Sequence, residues 1–214
     1  LKWMPRPGKI EYRWAHFRPG EDPAALTKIV EFNDLEAVER ALRDEDVAVL
    51  LTEPFLTDGG FTMPREGWHE GLRELCTRYG TLLLIDETHT QTSGPGGLTR
   101  EWGLDPDIWV SGKSIGAGLP VGVMGLKEEP ARKWQALLDS FTPWGMCGLT
   151  GQGTTNSANM LCLRALRLSL EHNYTDATFA KMFASMNHLE RGMQRVIEKH
   201  GAPFRVDAVG ARLN

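Results

Sequence analysis

Thr81-Leu82-Leu83-Leu84-Ile85-Asp86-Glu87 and, downstream, Asp107-Ile108-Trp109-Val110-Ser111-Gly112-Lys113-Ser114-Ile115-Gly116-Ala117-Gly118 decide the fold of this chain. Each is a short apolar run that ends on charged or glycine-rich residues. A third run, Val47-Ala48-Val49-Leu50-Leu51, ends on Thr52-Glu53 in the same way. Short apolar runs separated by helical stretches predict an α/β fold with a parallel or mixed sheet covered on both faces. In open sheets of that kind, ligands sit beyond the carboxyl ends of the strands. Glu53, Asp86 and Lys113 all fall at such ends.

Asp86 and Lys113 lie 27 positions apart, room for one crossover element between neighbouring strands. A carboxylate and a lysine at adjacent strand ends are the pair that a pyridoxal 5'-phosphate (PLP) site requires. The amine forms a Schiff base with the cofactor aldehyde, and the acid keeps the pyridine nitrogen protonated so that the ring accepts electrons. A carboxylate about 4 Å from a pyridinium gains roughly 4 kcal/mol at an effective dielectric of 20. By itself a strand-end aspartate caps the following turn, and a lone lysine is ordinarily solvated. The glycines at 112, 116 and 118 argue for more, because they suggest backbone approaching a bulky ligand.

The ordered motifs carry a family resemblance. Thr52-Glu53-Pro54, Gly67-Trp68-His69-Glu70-Gly71-Leu72-Arg73-Glu74-Leu75, Tyr79 to Glu87, Gly97-Leu98, Leu104-Asp105-Pro106-Asp107 and Gly112-Lys113-Ser114-Ile115-Gly116-Ala117-Gly118-Leu119-Pro120-Val121-Gly122 follow the order found in class III aminotransferases. The chain most resembles the glutamate-1-semialdehyde aminomutase branch, from about Thr27 to about Leu170 and weakly beyond. The resemblance implies the PLP fold type I large domain over residues 1–172 and the beginning of a small C-terminal α/β domain over 173–214. It implies Lys113 as Schiff-base and proton-shuttling lysine, Asp86 as partner of the ring nitrogen, and Glu53 among the cofactor-binding residues. Thr88 stands where the family usually has a valine against the ring face. His89 stands where some relatives have a glutamine reaching the ring hydroxyl. Thr154, at the opening of an expected helix, matches a threonine that in relatives binds the phosphate of the neighbouring subunit's cofactor, so a homodimer with shared active sites is implied. The expected function is amino transfer between an amine or amino-acid donor and a carbonyl acceptor. Aminomutase chemistry is the alternative, and a truncated PLP-binding chain without catalysis is the reading outside enzymology.

Composition bounds the remainder. The net charge of −4, with charges interspersed, gives no basic face for nucleic acid. No apolar run approaches bilayer length, and no charged-then-apolar leader opens the chain, which predicts a cytoplasmic protein with no membrane partner. Three dispersed cysteines without a C-x-x-C pair argue against disulfides and zinc alike. Asp86-Glu87-Thr88-His89 alone could suggest metal ligands, yet without H-E-x-x-H or a second cluster no metal is expected. The 214 residues begin at Leu1 and read as a fragment of a longer protein, since relatives are about twice as long. The family's own-subunit phosphate loop and ring-stacking aromatic would lie before Leu1.

Helices are expected over Asp34–Arg43, Glu66–Tyr79, Asn156–Leu170 and Thr175–His200. A loop is expected at Gly94–Gly97, and a first strand of the small domain over Phe204–Asn214.

Overall fold

The computed structural model describes residues 26–58, 60–140 and 157–214. The chain divides into two compact units, Leu1–Leu50 with Pro64–Leu82, and Leu51–Met63 with Leu83–Asn214.

In the first unit, α1 (Leu35–Leu42) packs on α2 (Trp68–Arg78). Asp34 starts α1, its Oδ1 accepting from Ala37 N at 2.8 Å. Val38 and Leu42 recur at helical spacing and are buried with Leu72, Leu75 and Cys76. Gly71 lets the helices approach, since a Cβ there would fall 2.4 Å from Leu35 Cδ1. Gly80, in the left-handed region at φ 68°, ends α2, and Thr81 N donates back to Cys76 O at 2.9 Å. Because the Asp34 cap satisfies an otherwise orphan helical N–H, Asp34→Ala is expected to cost about 1 kcal/mol. Urea unfolding checks this, with Asp34→Asn retaining most of the stability; an unchanged midpoint for the alanine variant would mean that the cap contributes nothing.

A four-stranded sheet runs in the order β1 (Val49–Thr52), β2 (Leu82–Asp86), β3 (Ile108–Gly112), β4 (Gly122–Leu126). It is mixed and mostly parallel, as expected. β2 and β3 are parallel with Leu84 opposite Ile108 and Asp86 opposite Val110, while β4 pairs antiparallel to β3. Asp107 fastens the start of the β2–β3 ladder: its carboxylate accepts from Leu83 N at 2.8 Å, and its own N–H donates to Leu83 O at 2.8 Å. Along β2, Leu83 and Ile85 are buried while Leu82, Leu84 and Asp86 are half-buried, so the alternation turns Asp86 away from the core face.

The outer strands are the least covered part of the sheet. Leu51 stays 65% exposed and Met124 41%, because β1 and β4 are the outer strands of the four. β4 itself went unanticipated, since Gly122 and Gly125 interrupt its apolar pattern.

The connection from β2 to β3 is a 3₁₀ turn, Thr90–Ser93, and a short helix, α3 (Gly97–Glu101). After β4 come α4 (Glu128–Ser140), α5 (Met160–His172) and α6 (Asp176–His200). α6 opens on its Thr175 cap as the sequence predicts. α5, expected from Asn156, begins at Met160; Ala158 is left-handed at φ 56°, and Asn159 Oδ1 caps Leu161 N at 3.0 Å. The strand expected over Phe204–Asn214 is instead a hairpin of β5 (Ala208–Val209) and β6 (Arg212–Leu213). Gly210 at φ 59° supplies the left-handed turn that divides it.

Around Phe55, Phe61 and Leu98 the second unit forms an aromatic cluster, with Trp102 and Val209 packed on it. A Cβ on Gly210 would lie 2.1 Å from Ser93 O, so the hairpin tip rests directly on the backbone that follows β2.

Candidate active site

The parallel register sets the carboxyl ends of β2 and β3 side by side. Asp86 is the last residue of β2, and Lys113 follows β3 directly, opening a 3₁₀ turn over Lys113–Gly116. Asp86 Oδ1 accepts from Thr88 N at 2.8 Å, the ordinary turn-capping role. Among the described residues this engages one oxygen only. Lys113 is exposed, and its amine has no ion-pair partner among the described residues. Lys127, by contrast, is paired with Asp105 at 2.6 Å, and Lys133 with Glu129 at 2.5 Å.

The backbone of Lys113 is left-handed, at φ 53°. A lysine held there is strained by roughly 1–3 kcal/mol, a cost found at sites where the surroundings over-determine a conformation. One of those surroundings is visible: Ser114 Oγ and Tyr174 OH are 2.7 Å apart, tying the turn to the residues after α5. Burial raises the Tyr174 phenol above its ordinary value, with the Ser114 hydrogen bond opposing, so the hydroxyl stays protonated at neutral pH.

The glycines around Lys113 also answer to the protein's own chain. A Cβ on Gly112 would meet Val121 O at 3.1 Å, and one on Gly116 would meet Val121 Cγ1 at 2.5 Å. Both therefore give room to the chain entering β4. Gly118, at φ 89° with nothing within 4 Å, is required by its turn.

Glu87 has no counterpart in the expected site and is fully buried. It accepts from the Thr90 hydroxyl and from Thr99 N, and its own N–H extends the ladder to Val110 O at 2.8 Å. A Cβ on Gly97 would fall 2.8 Å from this carboxylate, so glycine is needed where α3 begins. These bonds fix the segment carrying Thr88 and His89. Thr88 is half-buried; His89 Nδ1 lies 2.6 Å from Thr57 Oγ1, which in turn donates to Glu53 Oε2 at 2.5 Å. The structure thus gathers Glu53 and His89 through Thr57, a residue that sequence reasoning missed; its only signal is its position four after Glu53. Arg212 Nη1 donates to His89 O at 2.6 Å from 123 positions away, and nothing in the sequence announces that bond. Thr154 lies outside the described residues. Among the described residues no group of three His, Cys, Asp or Glu is placed to hold a metal, and no helix is long and apolar enough to cross a membrane.

Among the described residues, a half-buried aspartate with one oxygen unengaged and, after the neighbouring parallel strand, a lysine without an ion pair are the donor set that suits a pyridinium and an aldehyde. The residues present therefore fit PLP, and an α/β sheet presenting that pair at adjacent strand ends defines a scaffold of the PLP fold type I class. The family model for Aminotransferase class-III matches residues 9–212. The chain belongs to the class III aminotransferase family, whose cofactor is PLP. It is 33% identical over 194 residues to a glutamate-1-semialdehyde 2,1-aminomutase of Natranaerobius thermophilus, covering 88% of this chain and 43% of the relative. A glutamate-1-semialdehyde aminomutase from Pseudomonas aeruginosa PAO1 superposes with TM-score 0.83 at 39% identity, over 95% of this chain and 47% of that one. A form of that protein with one lysine replaced by alanine was crystallised with PMP. An omega-transaminase from Sphaerobacter thermophilus gives TM-score 0.72 at 27% identity, over 91% of this chain and 43% of the other. The chain thus spans less than half the length of these relatives.

Proposed function

We propose that this chain is the Lys113-bearing part of a PLP enzyme that moves an amino group, and that the reaction is a semialdehyde aminomutase shift. The observation that carries the first statement is the adjacency of Asp86 and Lys113 at neighbouring parallel strand ends. The second rests on the relatives' names, which bring forward aminomutase chemistry over the two-substrate transamination expected from the sequence. Transamination remains a second reading, favoured by the likeness to the omega-transaminase.

When bound, PLP supplies an aldehyde that holds an amine covalently and a protonated ring that takes up electrons released at carbon. Asp86 would keep a proton on the ring nitrogen through the oxygen that Thr88 N does not engage. Lys113 Nζ would hold the cofactor through its aldehyde, and as a free amine it would serve as the base that moves a proton at the substrate carbon. The strained turn and the Ser114–Tyr174 bond set where that amine stands. Thr88 would border the ring, and His89 and Glu53, joined through Thr57, would be further contacts of the cofactor. Thr154 serves the phosphate of a partner subunit in a homodimer, and residues 173–214 begin the smaller domain that helps select small amine and carbonyl substrates.

Turnover assays separate the readings. Glutamate-1-semialdehyde incubated alone with the PLP-loaded protein should be isomerised without any second substrate. Inertness toward it, with turnover only when an amine donor and a keto acid are both supplied, would favour transamination. Inertness toward both would defeat the enzyme assignment.

A further inference from the structure

Glu53, Thr57 and His89 form a hydrogen-bonded row. Thr57 is buried, and its Oγ1 lies 2.5 Å from Glu53 Oε2 and 2.6 Å from His89 Nδ1. A threonine hydroxyl has a single proton to donate, and a carboxylate only accepts. That proton therefore points at Glu53, and Oγ1 faces the imidazole with lone pairs alone. Nδ1 must be the donor in the second bond. In a neutral imidazole one nitrogen carries the proton and the other is bare, so Nε2 is left as an acceptor.

We propose that Glu53 and Thr57 are positioning residues that lock neutral His89 as the Nδ1-protonated tautomer and present Nε2 as a bare acceptor toward a hydroxyl-bearing ligand at the strand-end site. This is the reverse of the tautomer that a free histidine side chain favours in water. The backbone of His89 is held separately: Arg212 Nη1 binds its carbonyl at 2.6 Å, and the guanidinium carbon stands 5.8 Å from the Phe61 ring centroid. The ring is thus held at Nδ1 and the backbone behind it at the carbonyl, while Nε2 has no hydrogen-bond partner among the described residues. A bond made by the neighbour decides which ring nitrogen is free, as it does for orienting partners of histidine generally. The proposal rests on the reading of His89 as a cofactor contact only for what Nε2 meets; the tautomer itself is a property of the chain without PLP.

The test is long-range ¹H–¹⁵N correlation on the full protein with ¹⁵N-labelled histidines, at a pH where the ring is neutral. The chain has six histidines, and His89→Gln assigns the signal. In the wild-type protein the protonated nitrogen is expected to be Nδ1. Thr57→Val removes the hydroxyl and keeps the shape; Glu53→Met removes the acceptor and frees the threonine proton to turn toward His89. Each should move the proton to Nε2, and Thr57→Ser should restore Nδ1. An Nε2-protonated His89 in the wild type overturns the proposal without any variant, which keeps it exposed even where a substitution unfolds the chain. A tautomer unmoved in folded Thr57→Val overturns it as well. Added PLP is then expected to shift the Nε2 resonance; an Nδ1-protonated ring whose Nε2 does not respond supports the lock and overturns the ligand contact alone.

Discussion

Lys113→Ala is expected to lose amino-group transfer by at least roughly 10²–10⁴-fold, the usual contribution of a positioned acid or base, with further loss because nothing holds the cofactor covalently between turnovers. The structure adds a consequence that activity alone would not reveal. Lys113 sits at φ 53°, where a side chain is strained and glycine is not. Lys113→Gly should therefore be equally inactive yet at least as stable as the wild type, by about 1 kcal/mol. Urea unfolding beside a turnover assay reads both effects. A glycine variant that is inactive and markedly destabilised would mean that the lysine side chain supports the fold, and its assignment as a chemical group would weaken.

Asp86→Asn is expected to be nearly as damaging, and for a separable reason. A carboxylate and a cation about 4 Å apart gain roughly 4 kcal/mol at an effective dielectric of 20. Losing that charge corresponds to about a thousandfold in rate, since each 1.36 kcal/mol is tenfold. The amide oxygen can still accept from Thr88 N, as Asp86 Oδ1 does at 2.8 Å, so the turn and the stability should survive. The expected signature is a folded protein that still takes up PLP and reacts very slowly. Near-normal turnover would mean that another group protonates the ring.

The central scaffold was legible because its strands are apolar runs that stop abruptly at Asp86 and Lys113, and burial in a parallel sheet demands such runs. α1, α2 and α6 were equally plain, their apolar spacing framed by Asp34, Gly80 and Thr175. The C-terminal hairpin was not, for arms of two residues on either side of Gly210 are too short to show an alternation. Nor does the sequence show which neighbour lies against Gly112 and Gly116: it reveals that side chains are absent, and the fold supplies Val121. Most of what orders the site lies between distant positions. Thr57 meets His89, Tyr174 meets Ser114, and Arg212 reaches the His89 carbonyl, pairings that only the folded chain brings together. Glu87 shows the same limit from the other side. In the sequence it is one more acid beside Asp86, whereas in the fold it is a buried clasp for the Thr90–Thr99 segment.

Borohydride reduction of the PLP-loaded protein, followed by digestion and mass spectrometry, tests the assignment of Lys113 most directly. Reduction makes the lysine–cofactor linkage permanent, and the expected label is on the peptide containing Gly112-Lys113-Ser114. Label on Lys127 or Lys133, both held in ion pairs, or no lysine labelled in a protein that retains PLP, would contradict it.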